Sequence, residues 1–135
     1  MKAKQSLRIG VAGLGNVGAE LLKQIAEDRA GAFAGRAHVT AVSARNRRRQ
    51  SGPSIEHLQW FDDPCELAGS DEIDIFVELM GGSDGPAKRA VEIALGAGKP
   101  VVTANKALLA EHGRALALLA EGAGASLRFE AAVAG

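Results

Sequence analysis

The run Gly13-Leu14-Gly15-Asn16-Val17-Gly18 constrains this chain more than any other feature. It follows a short apolar segment, Leu7 to Ala12, and precedes a stretch in which Val17, Leu21 and Ile25 recur every four residues, with Leu22 and Ala26 beside them. An apolar strand, three glycines spaced GxGxxG and an amphipathic helix together make the strand–turn–helix unit that cradles a pyrophosphate. Gly13 permits the tight turn, Gly15 lets backbone approach the phosphates, and Gly18 allows close packing of helix on strand. The helix start adds free N–H groups and the positive end of its dipole. The motif therefore predicts a dinucleotide site at Gly13, Leu14, Gly15, Asn16, Val17 and Gly18. The bland alternative is a turn that merely joins strand to helix.

The alternation continues along the chain. His38 to Ser43 reads as a second strand, and a polar, arginine-rich loop runs from Arg45 to roughly Ser54. Leu58 to Phe61 is a short third strand, with Trp60 and Phe61 capping the core. Asp63-Pro64-Cys65-Glu66 has the marks of a helix start: Asp63 as cap, Pro64 in the first turn and Glu66 three residues after the cap. Ile73 to Leu79 is a fourth strand. Pro86 then opens a helix with Ala87, Ala90, Val91, Ala94 and Leu95 on one face, stopped by Gly96 and Gly98. Pro100 to Thr103 is a fifth strand. A helix from about Ala107 to Glu121 carries Leu108, Leu109, Leu116 and Leu119, with Gly122 and Gly124 ending it. Leu127 to Ala132 is a sixth strand. Strands joined by long helical crossovers predict an α/β fold: a doubly wound, mainly parallel six-stranded sheet of Rossmann type, with helices on both faces.

Composition narrows the class. At 135 residues the chain has room for one ordinary domain. Sixteen basic and sixteen acidic residues cancel, which argues against a nucleic-acid or membrane-surface partner. No apolar run approaches the roughly 20 residues that a bilayer demands. The basic start, Met1 to Ser6, is followed by too short an apolar segment for a secretory signal. One cysteine, Cys65, excludes an internal disulfide and fits a reducing compartment. The expectation is a cytoplasmic domain.

Candidate site residues collect at the carboxyl ends of the strands. The second strand exits into Ser43-Ala44-Arg45-Asn46-Arg47-Arg48-Arg49, where an NAD site would place a carboxylate on the ribose. Arginines there suit a 2′-phosphate, making NADP the expected cofactor, NAD the alternative, and Arg45 and Arg47 the candidates. A solvated basic loop or a weak nucleic-acid patch is the competing reading. Gly81 and Gly82, closing the fourth strand, either pass near the cofactor or simply turn into the next helix. Thr103-Ala104-Asn105-Lys106 closes the fifth at the same edge. Lys106 is a candidate for binding a substrate carboxylate or polarising a carbonyl, against the common case of a solvated surface charge. His38, His57, His112 and Cys65 have no zinc-ligand spacing. His112 is expected to be a packed or edge histidine. Cys65, at a helix start, is open to a lowered pKa but has no base nearby in sequence, so its role is structural.

Four segments together resemble homoserine dehydrogenase: Arg8 to Gly18, Val77-Glu-Leu-Met-Gly-Gly82, Val102-Thr-Ala-Asn-Lys-Ala107 and Phe129 to Gly135. They span nearly the whole chain in the family's order, and the second and third discriminate better than the glycine loop. The resemblance implies reduction of aspartate 4-semialdehyde to homoserine with NADPH or NADH, in the route to threonine, isoleucine and methionine. It places Gly13, Gly15, Asn16, Val17 and Gly18 on the cofactor, and Lys106 near nicotinamide and substrate; Thr103, closing the same strand, is with Lys106 a candidate for cofactor contact. It matches Glu130, Val133 and Gly135 to a segment that binds a monovalent cation such as Na+, for which an ordinary strand exit is the alternative. Family members continue into a substrate-binding and dimerising region, expected C-terminal to residues 1–135 and absent from them. The implied whole is a homo-oligomeric oxidoreductase acting on a small molecule, with this portion alone inactive. A related semialdehyde or amino-acid reductase, or a stand-alone NAD(P)-sensing module, are the alternatives.

Overall fold

A computed structural model, describing residues 6–27, 35–45 and 53–129, turns the apolar runs into six strands. They are β1 (Leu7–Ala12), β2 (Ala37–Ser43), β3 (Gln59–Phe61), β4 (Ile75–Glu78), β5 (Val101–Thr103) and β6 (Leu127–Phe129). Their order is β3-β2-β1-β4-β5-β6, and every neighbouring pair is parallel. Crossovers run through α1 (Asn16–Glu27), α2 (Pro53–Glu56), α3 (Pro64–Ala68), α4 (Pro86–Gly96) and α5 (Lys106–Ala123). This is the doubly wound Rossmann-type order that the sequence predicts.

Alternation of side chains along the strands splits the core into two layers. Ile9, Val11, Val42 and Val77 pack with Leu22 of α1 and Leu58 on one face. Ala12, Ala41, Phe76 and Val101 pack on the other, against Leu67 of α3, Ala90, Val91, Ala94 and Leu95 of α4, and Leu108 and Leu116 of α5. All five apolar positions expected of α4 are buried. Trp60 and Phe61 lie on opposite layers as half-buried caps.

Several boundaries differ from expectation, each for a local reason. Residues 53–56 form α2 rather than the end of a loop, with Ile55 packing on the α1-side layer. The α1 stripe centres on Leu22, and Val17 and Leu21 are only half-buried. The fourth strand begins at Ile75, not Ile73; Ile73 is apolar because it is buried in the α3-side layer before the ladder begins. Gly122 lies inside α5, and the helix ends at Gly124, whose left-handed φ of 70° lets its N–H cap Ala120 and Glu121 carbonyls. A mid-helix glycine costs only about 1 kcal/mol, so the residue that can take the left-handed cap decides the stop. Leu119 is exposed, leaving Leu108, Leu116 and Ala120 as the buried stripe of α5. The sixth strand is seen as far as Phe129; residues 130–132 lie outside the described residues.

At the amino ends of β1 and β4, Arg8 holds Asp74. Its backbone N–H donates to Oδ2 at 2.8 Å, and its guanidinium forks both carboxylate oxygens at 3.0 and 3.2 Å. These bonds hold the Asp74 carboxyl below its ordinary range. Among the described residues no helix is long and apolar enough to cross a membrane.

Candidate functional site

The chain leaves β1 toward β2, then returns past it to β4, so a crevice opens at the carboxyl end of β1. A cleft of about 520 Å³ fills that position. Gly13, Leu14 and Gly15 form one wall and Leu79, Met80 and Gly81 the facing one. Ser43 lines it from the end of β2, Ala44 and Arg45 just after it, Asp62 and Pro64 beyond β3, and Pro86 and Ala87 from the start of α4.

The first wall is shaped by steric necessity. Gly13 has φ 101°, and a Cβ there would lie 2.6 Å from the Leu79 carbonyl oxygen. The turn is pinned on both sides, by Gly13 N–H to Ser43 O at 2.8 Å and Leu79 N–H to Ala12 O at 2.8 Å. A Cβ on Gly18 would run into the Gly13 carbonyl, so Gly18 serves helix-to-loop packing rather than the expected helix-to-strand contact. Gly15 differs from both: a Cβ there would meet nothing within 4 Å.

The facing wall is held by a carboxylate. Glu78 ends β4 in register with Thr103 of β5, and both side chains are fully buried. Glu78 Oε1 accepts from the Thr103 hydroxyl at 2.6 Å, and Oε2 accepts the N–H groups of Met80 at 2.7 Å and Gly81 at 3.1 Å. Thr103 Oγ1 accepts the Asn105 N–H at 3.0 Å. The Asn105 carboxamide then caps α5 by accepting Leu108 N–H at 3.0 Å and donates to the Gly82 carbonyl at 2.6 Å. Lys106 follows as the exposed first residue of α5.

Of the sequence-predicted residues, Gly13, Leu14, Gly15, Arg45 and Gly81 are brought together on the cleft. Asn16 opens α1 and Val17 is half-buried in its first turn, directly behind Gly15. Gly82, Thr103 and Lys106 are not on the lining; the Thr103 hydroxyl is spent on Glu78 and Asn105. Arg47, Glu130, Val133 and Gly135 lie outside the described residues. Sequence reasoning passed over Glu78, Asn105 and Asp62. A lone carboxylate closing an apolar strand was the available signal for Glu78, and a capping residue one place before a helix was the signal for Asn105. Asp62 accepts from the Trp60 indole N–H at 2.9 Å and brings a negative group to the same cleft as Arg45.

Two other candidates are corrected or qualified by the structure. Burial, then the neighbouring Asp63 charge, push the Cys65 thiol up rather than down. Helix α3 spans five residues, and the Cys65 N–H is already capped by Asp63 at 2.8 Å. His112 is an edge histidine, with Nε2 3.0 Å from Asp84 Oδ1 and 3.6 Å from Glu111 Oε2. This is the one grouping of possible metal ligands among the described residues, and both its carboxylates are exposed.

A family model for the NAD-binding domain of homoserine dehydrogenase matches residues 13–130. The homoserine dehydrogenase of Mycobacterium tuberculosis is 44% identical over 130 residues, covering 94% of this chain and 29% of that protein. That of Neisseria gonorrhoeae is 40% identical over 134 residues, covering 96% and 30%. Among solved structures, Staphylococcus aureus homoserine dehydrogenase at pH 7.5 superposes with a TM-score of 0.83 and 34% identity, covering 96% of this chain and 33% of that one. A hyperthermophilic archaeal homoserine dehydrogenase in complex with NADPH shares the fold at 23% identity and a TM-score of 0.76, covering 95% and 44%. The chain thus spans about 30% of the length of the curated relatives it matches.

Proposed function

The chain belongs to the homoserine dehydrogenase NAD-binding domain family, and from that premise we propose that its cleft binds NADPH as the cofactor-holding part of a homoserine dehydrogenase. The open ground over Gly15 carries the reading: apart from Gly15 and its two chain neighbours, no atom of the described chain lies within 4 Å of where its side chain would be, at the mouth of α1. That is the place where a phosphate would meet the unpaired N–H groups of a helix start. A volume of about 520 Å³ also falls within the usual range for cofactor sites.

Bound there, the reduced nicotinamide supplies a hydride to a carbonyl carbon, in this reading the aldehyde of aspartate 4-semialdehyde. The chain's own residues bind, orient and neutralise. Gly13 to Gly18 hold the pyrophosphate, and the Arg45 guanidinium grips the 2′-phosphate, with Arg47 as its sequence-designated companion. Gly81 and Gly82 form the nicotinamide side, with Thr103 behind them. Lys106 places a positive charge for the oxygen on which negative charge grows, which makes it the proposed catalytic residue. Glu130, Val133 and Gly135 are matched to a monovalent cation, and no step here depends on it. The substrate amine and the contacts of a homo-oligomer fall to the region that relatives carry beyond this domain. The isolated chain is therefore proposed to bind cofactor without turnover, and the protein to work in the cytoplasm on a small molecule.

Calorimetric titration of the chain with NADPH and NADH tests this. Tighter NADPH binding is expected. Loss of a charged hydrogen-bonding partner is worth about 1.5–3 kcal/mol, so Arg45→Ala should weaken NADPH roughly tenfold or more and leave NADH unchanged. Equal binding of both cofactors returns Arg45 to a solvated loop and makes Asp62 the ribose-side group. Absence of either binding overturns the dinucleotide reading.

A further inference from the structure

Glu78 is a fully buried carboxylate with no ion pair among the described residues. Burying such a group is costly unless its oxygens are occupied, and three donors occupy them. An ionised carboxylate only accepts, and that fits this geometry: two backbone N–H groups converge on one oxygen and a hydroxyl on the other. The consequence reaches beyond β4. Because Thr103 donates to Glu78, its remaining capacity is to accept, and it accepts the Asn105 N–H. Asn105 closes the ring by donating to Gly82 while capping the helix that Lys106 begins. The loop after β4 and the start of α5, 25 residues apart at Glu78 and Thr103, thus share one hydrogen-bonded ring with a single polarity.

We propose that Glu78, acting through Thr103 and Asn105, is the positioning residue that fixes the Met80–Gly82 backbone, whose Met80 and Gly81 line the cleft, relative to Lys106. This rests on the reading of the cleft as a dinucleotide site, since the nicotinamide is what would lie between the two. The ring explains why neither strand ends in a plain apolar residue. It also explains why an amide is a poor substitute. Glu78→Gln keeps the shape, but its NH2 must face either the Thr103 hydroxyl or the two N–H groups. In the first case Thr103 Oγ1 receives two donors and its own proton loses its acceptor; in the second, donors face donors.

Thr103→Val and Thr103→Ser separate this role from plain packing. Valine keeps the buried shape and removes the hydroxyl; serine keeps the hydroxyl and removes a methyl. Affinity of the chain for NADPH is compared with that for 2′-phospho-ADP-ribose, which lacks the nicotinamide. Amide resonances of Met80, Gly81 and Lys106, none of which hydrogen-bonds Thr103, are followed in the same samples. Thr103→Val is expected to lower NADPH affinity at least fivefold, leave 2′-phospho-ADP-ribose within twofold and shift all three resonances together. Thr103→Ser is expected to restore both readouts, and Glu78→Gln to behave like Thr103→Val. The proposal is overturned if Thr103→Val keeps the wild-type affinity ratio, if valine and serine variants lose both ligands alike, or if Lys106 stays put while Met80 and Gly81 move. Wild-type chain that binds neither ligand instead overturns the dinucleotide reading, and this proposal with it.

Discussion

After β1 the chain turns through Gly13-Leu14-Gly15, and after β4 through Met80-Gly81-Gly82; the two loops face each other across one cleft. Both are glycine-rich, yet the glycines answer different demands. Gly13 combines φ 101° with backbone pressed against it, so neither its conformation nor its surroundings admit a side chain. Gly81 has φ 83° with nothing within 4 Å of a Cβ, so conformation alone excludes one. The first loop is wedged in place by neighbouring backbone. That backbone is Leu79 and Met80, where the second loop begins; from Gly81 onward the second loop stands clear and takes its shape from Glu78, a group outside the loop. Steric wedging leaves its mark in local sequence, whereas a tether does not.

Alanine at Gly13 should produce the largest effect. A side chain in that backbone conformation costs about 1–3 kcal/mol. Overlap with the Leu79 carbonyl adds roughly 1–3 kcal/mol, because the backbone fixes the Cβ and the carbonyl is main chain, so neither can turn aside. Urea unfolding of Gly13→Ala is expected to show a loss of about 2–6 kcal/mol from these two effects. A loss below about 1 kcal/mol would mean that the loop gives way, and that the two loops are not built differently after all.

Gly81→Ala should be milder, with strain alone costing about 1–3 kcal/mol in the same measurement. A loss matching Gly13→Ala would show that the second loop too is pressed by its neighbours. The contrast also explains what was legible beforehand. The GxGxxG spacing and the Pro86 helix with its five buried apolar positions could be read because each lies within one local period, and the strand order because strands alternating with helices after a glycine loop match the doubly wound pattern. The tether could not. Glu78 sits two and three residues from Met80 and Gly81 but 25 from Thr103, and only the β4–β5 register sets it opposite that hydroxyl. A place at a strand end makes Thr103 and Lys106 site candidates, and the family resemblance adds the case for Lys106. The geometry gives Thr103 a different task, facing inward to Glu78 instead of outward to the cleft.

The amino ends of the central strands β1 and β4, at the far end of the sheet from the cleft, offer a control that involves neither loop. Asp74→Asn removes a half-exposed ion pair to Arg8, and its effect should be small. The sign with pH is definite. Arg8 holds the Asp74 carboxyl below its unfolded value, so the pair stabilises the fold above that unfolded value and is lost as pH falls through the folded one. The denaturation midpoint of Asp74→Asn should therefore lie slightly below wild type at neutral pH and converge with it in acid. Nucleotide affinity should not change, and a change would mean that the cleft senses the amino ends of the strands.

Gly15→Ala should have the smallest effect on stability, and for that reason it discriminates best. Neither conformation nor contact opposes a methyl group there, since its φ lies outside the left-handed range and no described atom beyond its two chain neighbours comes within 4 Å. Unfolding should match wild type to within about 0.5 kcal/mol, as for a surface substitution away from any special feature. Binding should respond differently. The methyl would occupy ground that the proposed pyrophosphate needs in order to reach the N–H groups at the start of α1. A tenfold or greater loss of NADPH affinity at unchanged stability would assign this glycine to the ligand alone, separating it from Gly13, which the fold itself requires. Unchanged affinity would remove the main support for the phosphate site and leave the first loop as a packing device.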